Sequence, residues 1–164
     1  MSPDNEMLIA ADRMKYTKNT HSSRFCYLAI ALDVLFFINI YETDRNFYYS
    51  LLIGASIVYN LLFMLFVFLA SEGVKKYKPG YSMFLFGAGA AQLVRIFILP
   101  LDAYNTIIKA GERAMEAPQF IRAVLWLALS AVCLIAAAAI NTAKYKKLRA
   151  ARETQLILTE REED

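Results

Sequence analysis

The sequence predicts an all-α integral membrane protein, with four transmembrane helices in an up-down bundle. Two observations carry this. Of 164 residues, 58% are hydrophobic, and they gather into four blocks, at about 23–41, 47–71, 81–101 and 118–140. Each block approaches the ~20 residues that a helix needs to cross ~30 Å of hydrocarbon. A soluble domain would carry more charge and break its apolar runs more often. The second block is the longest and is expected to tilt or to extend past the headgroups.

Barrel strands are short and alternate polar with apolar residues. The run LLFMLFVFLA from Leu61 to Ala70 is apolar at every position, as a lipid-embedded helix is. Some twenty polar residues precede the first block, and no small-residue cleavage site follows its apolar run, so it reads as a retained anchor.

Lysine and arginine set the expected orientation. Arg13, Lys15, Lys18 and Arg24 precede the first block, and Lys75, Lys76 and Lys78 follow the second. Lys144, Lys146, Lys147, Arg149, Arg152 and Arg161 follow the fourth. Against these stand only Arg45, Lys109, Arg113 and Arg122. The positive-inside rule then places both termini in the cytoplasm and predicts a multi-pass protein of a plasma or inner membrane. The net charge of +3 follows from topology and indicates no nucleic-acid partner. Lys75, Lys76, Lys78, Lys144, Lys146 and Lys147 are expected to meet lipid headgroups. Tyr41, Tyr48, Tyr49 and Tyr104 fall at one predicted interface, and Tyr77, Tyr81 and Tyr145 at the other. Tyr59 is the exception, in the middle of the second span.

Three organisational units follow: a cytoplasmic tail over 1–22, a transmembrane domain over 23–141 and a cytoplasmic helical tail over 142–164. The loop ETDRN (42–46) is too short to fold alone and implies a helical hairpin. Between Pro100 and Pro118, Tyr104, Ile107, Ile108 and Met115 repeat at helical spacing, opposite Lys109, Glu112 and Arg113. That pattern predicts a short outer amphipathic helix with Asn105 or Thr106 as its N-cap. After Ile140 strong helix formers continue without a breaker, so the fourth helix is expected to extend into the cytoplasm. Leu148, Ala151, Gln155 and Leu158 form a thin stripe on that extension.

Several chemistries lack their residues. The only histidine is His21, which leaves no axial pair for haem, and Cys26 and Cys133 are isolated rather than Cys-x-x-Cys. No cluster has metal-ligand spacing, and neither a phosphate loop nor a nucleophile elbow is present. The sequence therefore reads as non-enzymatic, with no cofactor or metal. The run GAGAA (87–91) lies inside a predicted span, where small residues permit close helix approach. Gly54, Gly87, Gly89 and Ala91 are the predicted packing positions.

The polar residues inside the spans are the candidate site. Asp33, Asn60, Gln92 and Arg95 lie deep in blocks one, two and three. Intramembrane charges cost ~2.5–3.5 kcal/mol each on insertion scales and normally find partners inside the bundle. Gln92, Arg95, Leu99 and Asp102 share one helical face with Ala88 and Ala91. A side chain leans toward its helix N-terminus, so Arg95 is expected to reach Asp33, with Asp102 as the rival partner. Gln92, Asn60 and Ser56 are the expected supporting groups. Two functions remain open on these residues: an accessory subunit of a larger membrane transport complex, partnered by other subunits or by itself, and a small oligomeric transporter or channel working through Asp33 and Arg95.

Overall fold

The computed structural model describes residues 9, 12–14, 17–41, 47–107, 111 and 113–163. Its elements are α1 (Thr20–Tyr41), α2 (Phe47–Lys75), α3 (Pro79–Ile98), α4 (Pro100–Asn105) and α5 (Ala117–Glu163). Four of these helices are long and apolar enough to cross a membrane. The described residues hold no β-strand beyond one isolated bridge, between Ile107 and Arg113. The loop 42–46, Tyr48, Tyr49 and Leu158 fall outside what can be described at side-chain level.

α5 is the hub. It packs along α1 and along α3, while α2 leans on α1 and touches α3 only lightly. Small residues make the hub possible: Ala123, Ala131, Ala137 and Ala138 are buried on α5, and their short side chains let neighbouring backbones approach. Two apolar clusters result. One joins Ala29, Val67, Leu85 and Leu134, and the other joins Phe36, Leu99, Met115 and Leu127. The indole of Trp126 packs against both. Large apolar side chains also face outward in number, among them Leu61, Leu65, Met83, Phe97 and Val132. In water such a surface is untenable; against lipid it is the expected exterior.

The ends of the helices are tied by polar contacts. At one end the start of α1, the end of α2, the start of α3 and the middle of α5 meet, and we call this the basic end. At the opposite, far end, the top of α1 meets the start of α5. The turn between α2 and α3 places Tyr77 at φ 55, a left-handed conformation that non-glycine residues rarely adopt. The buried Tyr77 ring and a hydrogen bond from its hydroxyl to Thr17 O (3.0 Å) hold it there.

Boundaries differ from the sequence reading where proline and glycine intervene. α3 stops at Ile98 and does not run to Leu101, because Pro100 lacks an N–H and its ring cannot follow a helical turn. Pro100 opens α4 as its first residue.

The outer amphipathic helix predicted between Pro100 and Pro118 is not formed among the described residues. Asn105 and Thr106 close a helix there; they do not cap the start of one. The Thr106 N–H and Oγ1 both donate to Asp102 O, at 3.0 and 2.9 Å, and Thr106 is extended at φ −85, ψ 128. The chain then turns back through Gly111 at φ 78, and Ala114 N–H donates to Thr106 O at 3.0 Å. Met115 is drawn into the far-end core rather than lying on a membrane face, and this burial overrides the helical spacing. Arg113 sits 4.3 Å over the Tyr104 ring, itself stacked on Phe120. Ile108, Lys109 and Glu112 lie outside the described residues.

α5 runs unbroken for 47 residues, roughly 70 Å at about 1.5 Å per residue, and so continues far past the fourth span. Ala151 on its extension is buried.

Candidate functional site

Arg95 reaches back along α3, as the lean of helical side chains requires, and its Nη1 donates to Asp33 Oδ1 at 3.0 Å. The pair is enclosed, with side-chain exposures of 7% for Arg95 and 0% for Asp33. Nη2 donates to Ser56 Oγ on α2 at 2.9 Å. The guanidinium lies between two rings, 4.4 Å from the Phe36 centroid and 4.7 Å from that of Tyr59. Cation–π contact of this kind strengthens as the cation is desolvated. It also accounts for Tyr59, the aromatic residue that fits neither interface.

Gln92 sits one turn before Arg95 on the same face. Its Nε2 donates to Asp33 Oδ1 at 3.0 Å and to Ser130 Oγ at 3.3 Å. Ser130 Oγ in turn donates to Ala29 O at 3.2 Å. One polar network thus joins α1, α2, α3 and α5. Asp102 takes no part in it.

Asn60 departs from the expectation. It is buried at 1% exposure, yet neither its Oδ1 nor its Nδ2 has a hydrogen-bond partner among the described residues. Asp33 Oδ2 is likewise unpartnered. Lys75 O accepts from Asn19 N–H at 3.1 Å, which levels the ends of α1 and α2. Counting from there at about 1.5 Å per residue, Asp33 and Asn60 lie at the same height, roughly 21 Å from the basic end. Two adjacent helices therefore carry unmatched polar atoms at one level.

Two further polar clusters were not singled out from the sequence. At the basic end Asn141 Nδ2 donates to Lys78 O (3.1 Å) and Ser82 Oγ (2.7 Å), and its Oδ1 accepts from Asn19 Nδ2 at 3.1 Å. At the far end Asn39 and Gln119 exchange amide-to-carbonyl bonds of 2.9 Å in both directions, and Arg122 Nε donates to Asn39 Oδ1 at 3.1 Å. The signal was present: an asparagine in an apolar block needs a partner, as an arginine does. These lie at the ends of blocks, where sequence alone does not separate a buried amide from a solvated one.

The predicted packing and headgroup positions divide. Gly89 is tightly packed, since a Cβ there would lie 2.9 Å from Ile135 Cγ1 and 3.3 Å from Ala131 O. Among the described residues, a Cβ on Gly54 or Gly87 meets no atom within 4 Å. Ala91 faces outward as well. Lys76, Lys78, Lys146 and Lys147 are exposed. Lys75 instead pairs with Glu72 and bonds the Tyr27 hydroxyl. Lys144 donates to Asn19 Oδ1 at 2.9 Å, so it serves the basic-end clamp.

The light contact between α2 and α3 leaves a lateral cleft. Near the far end a section of about 490 Å³ is lined by Ala55, Ser56, Tyr59, Ala91 and Val94, with Arg95 at its wall. A neighbouring section of about 460 Å³ includes Gly87, Ala88 and Ala91. Comparison with known proteins finds no match, whether to a family model, a curated protein or a solved structure.

Proposed function

We propose that this chain is a non-enzymatic polytopic membrane protein that serves as an accessory subunit of a larger membrane transport complex. Its four spans run up and down, with the basic end and both termini in the cytoplasm. The observation that carries the reading is the lateral cleft between α2 and α3. Gly87 and Ala91, one turn apart, line it; a Cβ added to Gly87 meets no atom within 4 Å among the described residues, and Ala91 is exposed. Small residues one turn apart are the usual seat of a second membrane helix. The charged pair, by contrast, is enclosed, and the network that it forms with Ser56, Gln92 and Ser130 joins all four long helices, which suits holding the bundle in register.

Cysteine placed at position 87 in a Cys26→Ala, Cys133→Ala background tests this through cross-linking in native membranes. The expected product is a defined adduct with one other membrane protein, abolished by Ala91→Leu. An adduct only with a second copy of the chain replaces the accessory subunit with a homo-oligomer. Absence of any adduct removes the cleft as an interface.

One observation favours a second reading, a small oligomeric transporter or channel working through Asp33 and Arg95. The unmatched Asp33 Oδ2 and Asn60 are what a proton or small polar substrate would bind. Reconstitution into liposomes with and without Asp33→Asn separates the two readings. Flux that depends on Asp33 establishes the second.

A further inference from the structure

We infer that the basic end of the α2–α3 cleft binds one anionic phospholipid of the adjoining leaflet. This site rests on membrane embedding of the helices and is independent of the partner-subunit reading. The cleft here encloses about 580 Å³, with Leu69 on one wall and Tyr81 on the other. Phe66 and Phe84 meet edge-on across its deep end, ring centroids 6.3 Å apart, and close it off from the sections beyond. From Lys76 at the mouth to Phe66 at the floor is roughly 15 Å along α2, which is half of the ~30 Å hydrocarbon core. A membrane-spanning partner helix needs both leaflets. A lipid acyl chain needs one, and that depth selects the lipid.

The mouth selects the headgroup. Lys76 and Lys78 line it with exposed side chains, and neither makes an ion pair among the described residues. Glu72 also lies at the mouth, but its carboxylate is taken by Lys75 and the Tyr27 hydroxyl. Two uncompensated ammonium groups remain. The start of α3 adds to them: Lys78 is its N-cap without a side-chain cap, and the first-turn N–H groups have no intrahelical acceptor. A phosphate monoanion is drawn to that mouth while its acyl chain lies against Leu69 and Phe84.

The test uses the full chain, reconstituted in mixed phosphatidylcholine and phosphatidylglycerol vesicles, extracted in mild detergent and weighed by native mass spectrometry. One phosphatidylglycerol per chain should be retained, enriched on the order of thirtyfold over phosphatidylcholine, as two near-surface lysines give. Lys76→Gln with Lys78→Gln should bring retention down to the phosphatidylcholine level. Lys146→Gln with Lys147→Gln, on exposed lysines of α5 away from the cleft, should leave it unchanged. Leu69→Trp, which fills the chain seat from an outward-facing position, should abolish retention with both lysines intact. Equal retention of the two lipids overturns the site. So does equal loss in the two lysine pairs, which indicates diffuse attraction. Retention in Leu69→Trp overturns the cleft as the seat. Helical content and melting of each variant, read by circular dichroism, should match the parent, because all five side chains point away from the core.

Discussion

Arg95 Nη1 and Asp33 Oδ1 meet at 3.0 Å, with the rings of Phe36 and Tyr59 flanking the guanidinium. A charge left alone in this setting has no water to turn to. Arg95→Ala and Asp33→Ala are each expected to cost up to ~3–5 kcal/mol, the usual result of breaking one side of a buried pair. Arg95→Met combined with Asp33→Leu should recover much of that loss. A double-mutant cycle on detergent unfolding measures the coupling. Additive single costs would show that the pair contributes no coupling. A double variant that folds well and has lost function would assign Asp33 a role beyond holding helices.

Asn60 gives the opposite sign. Its amide is buried with no partner among the described residues, and leaving such a group unmatched costs ~1–3 kcal/mol. Asn60→Leu, which keeps the branching and heavy-atom count but carries bulkier methyl groups, is expected to leave stability unchanged or raise it by up to that amount. Ser56→Ala, one turn away, should lower it, because Ser56 Oγ accepts from Arg95. A destabilised Asn60→Leu would mean that the amide is satisfied in the membrane by a bound molecule that the substitution expels.

Topology is accessible to labelling. In a Cys26→Ala, Cys133→Ala background, a cysteine at Lys78 should react with an impermeant reagent only after permeabilisation. A cysteine at Glu116, exposed at the far end, should react in intact cells. The reverse pattern would invert the proposed orientation and place the lipid site in the outer leaflet.

The four spans were legible because lipid imposes one requirement on a whole stretch, and twenty residues of sequence record it together. The Arg95–Asp33 contact was legible because a deep charge has few permitted partners and helical lean gives the direction. The segment 106–116 was not, since local periodicity says nothing about burial of Met115 or about the turn at Gly111. Gly87 and Gly89 look alike in GAGAA; which of them meets α5 depends on a rotation of α3 that the polar residues, not the glycines, determine. Asn141 stands where the apolar block ends, so hydropathy does not mark it, yet the unbroken α5 keeps it against α1 and α3.

That asparagine anchors the basic end. Asn141 bonds to Asn19, Lys78 O and Ser82, so it ties three helices at one position. Asn141→Leu removes those bonds and leaves the Asn19 Nδ2 donor without its acceptor, while Asn19 Oδ1 keeps its bond from Lys144; the expected cost is ~1–3 kcal/mol. Hydrogen exchange should rise at residues around Asn19, Lys78 and Ser82 while the far end stays protected. Uniformly faster exchange would show that the clamp stabilises the whole bundle rather than its own end.

Gly87 and Gly89 allow the rotation of α3 to be tested directly. At Gly89 a methyl group would lie 2.9 Å from Ile135 Cγ1 and 3.3 Å from Ala131 O. Ile135 Cγ1 is bonded to a branched Cβ whose χ1 is stiff in a helix, and the backbone carbonyl is fixed. Gly89→Ala should therefore cost ~1–3 kcal/mol by overpacking. Gly87→Ala meets open space and should gain up to ~1 kcal/mol from helix propensity. Ile135→Ala added to Gly89→Ala should return only part of the loss, because the Ala131 carbonyl still opposes the new methyl. Thermal unfolding of the isolated chain in detergent reads all three. If Gly87→Ala is the costly change and Gly89→Ala the neutral one, α3 is rotated from the position described. The Arg95–Asp33 contact, set by the same rotation, would then have to be abandoned with it.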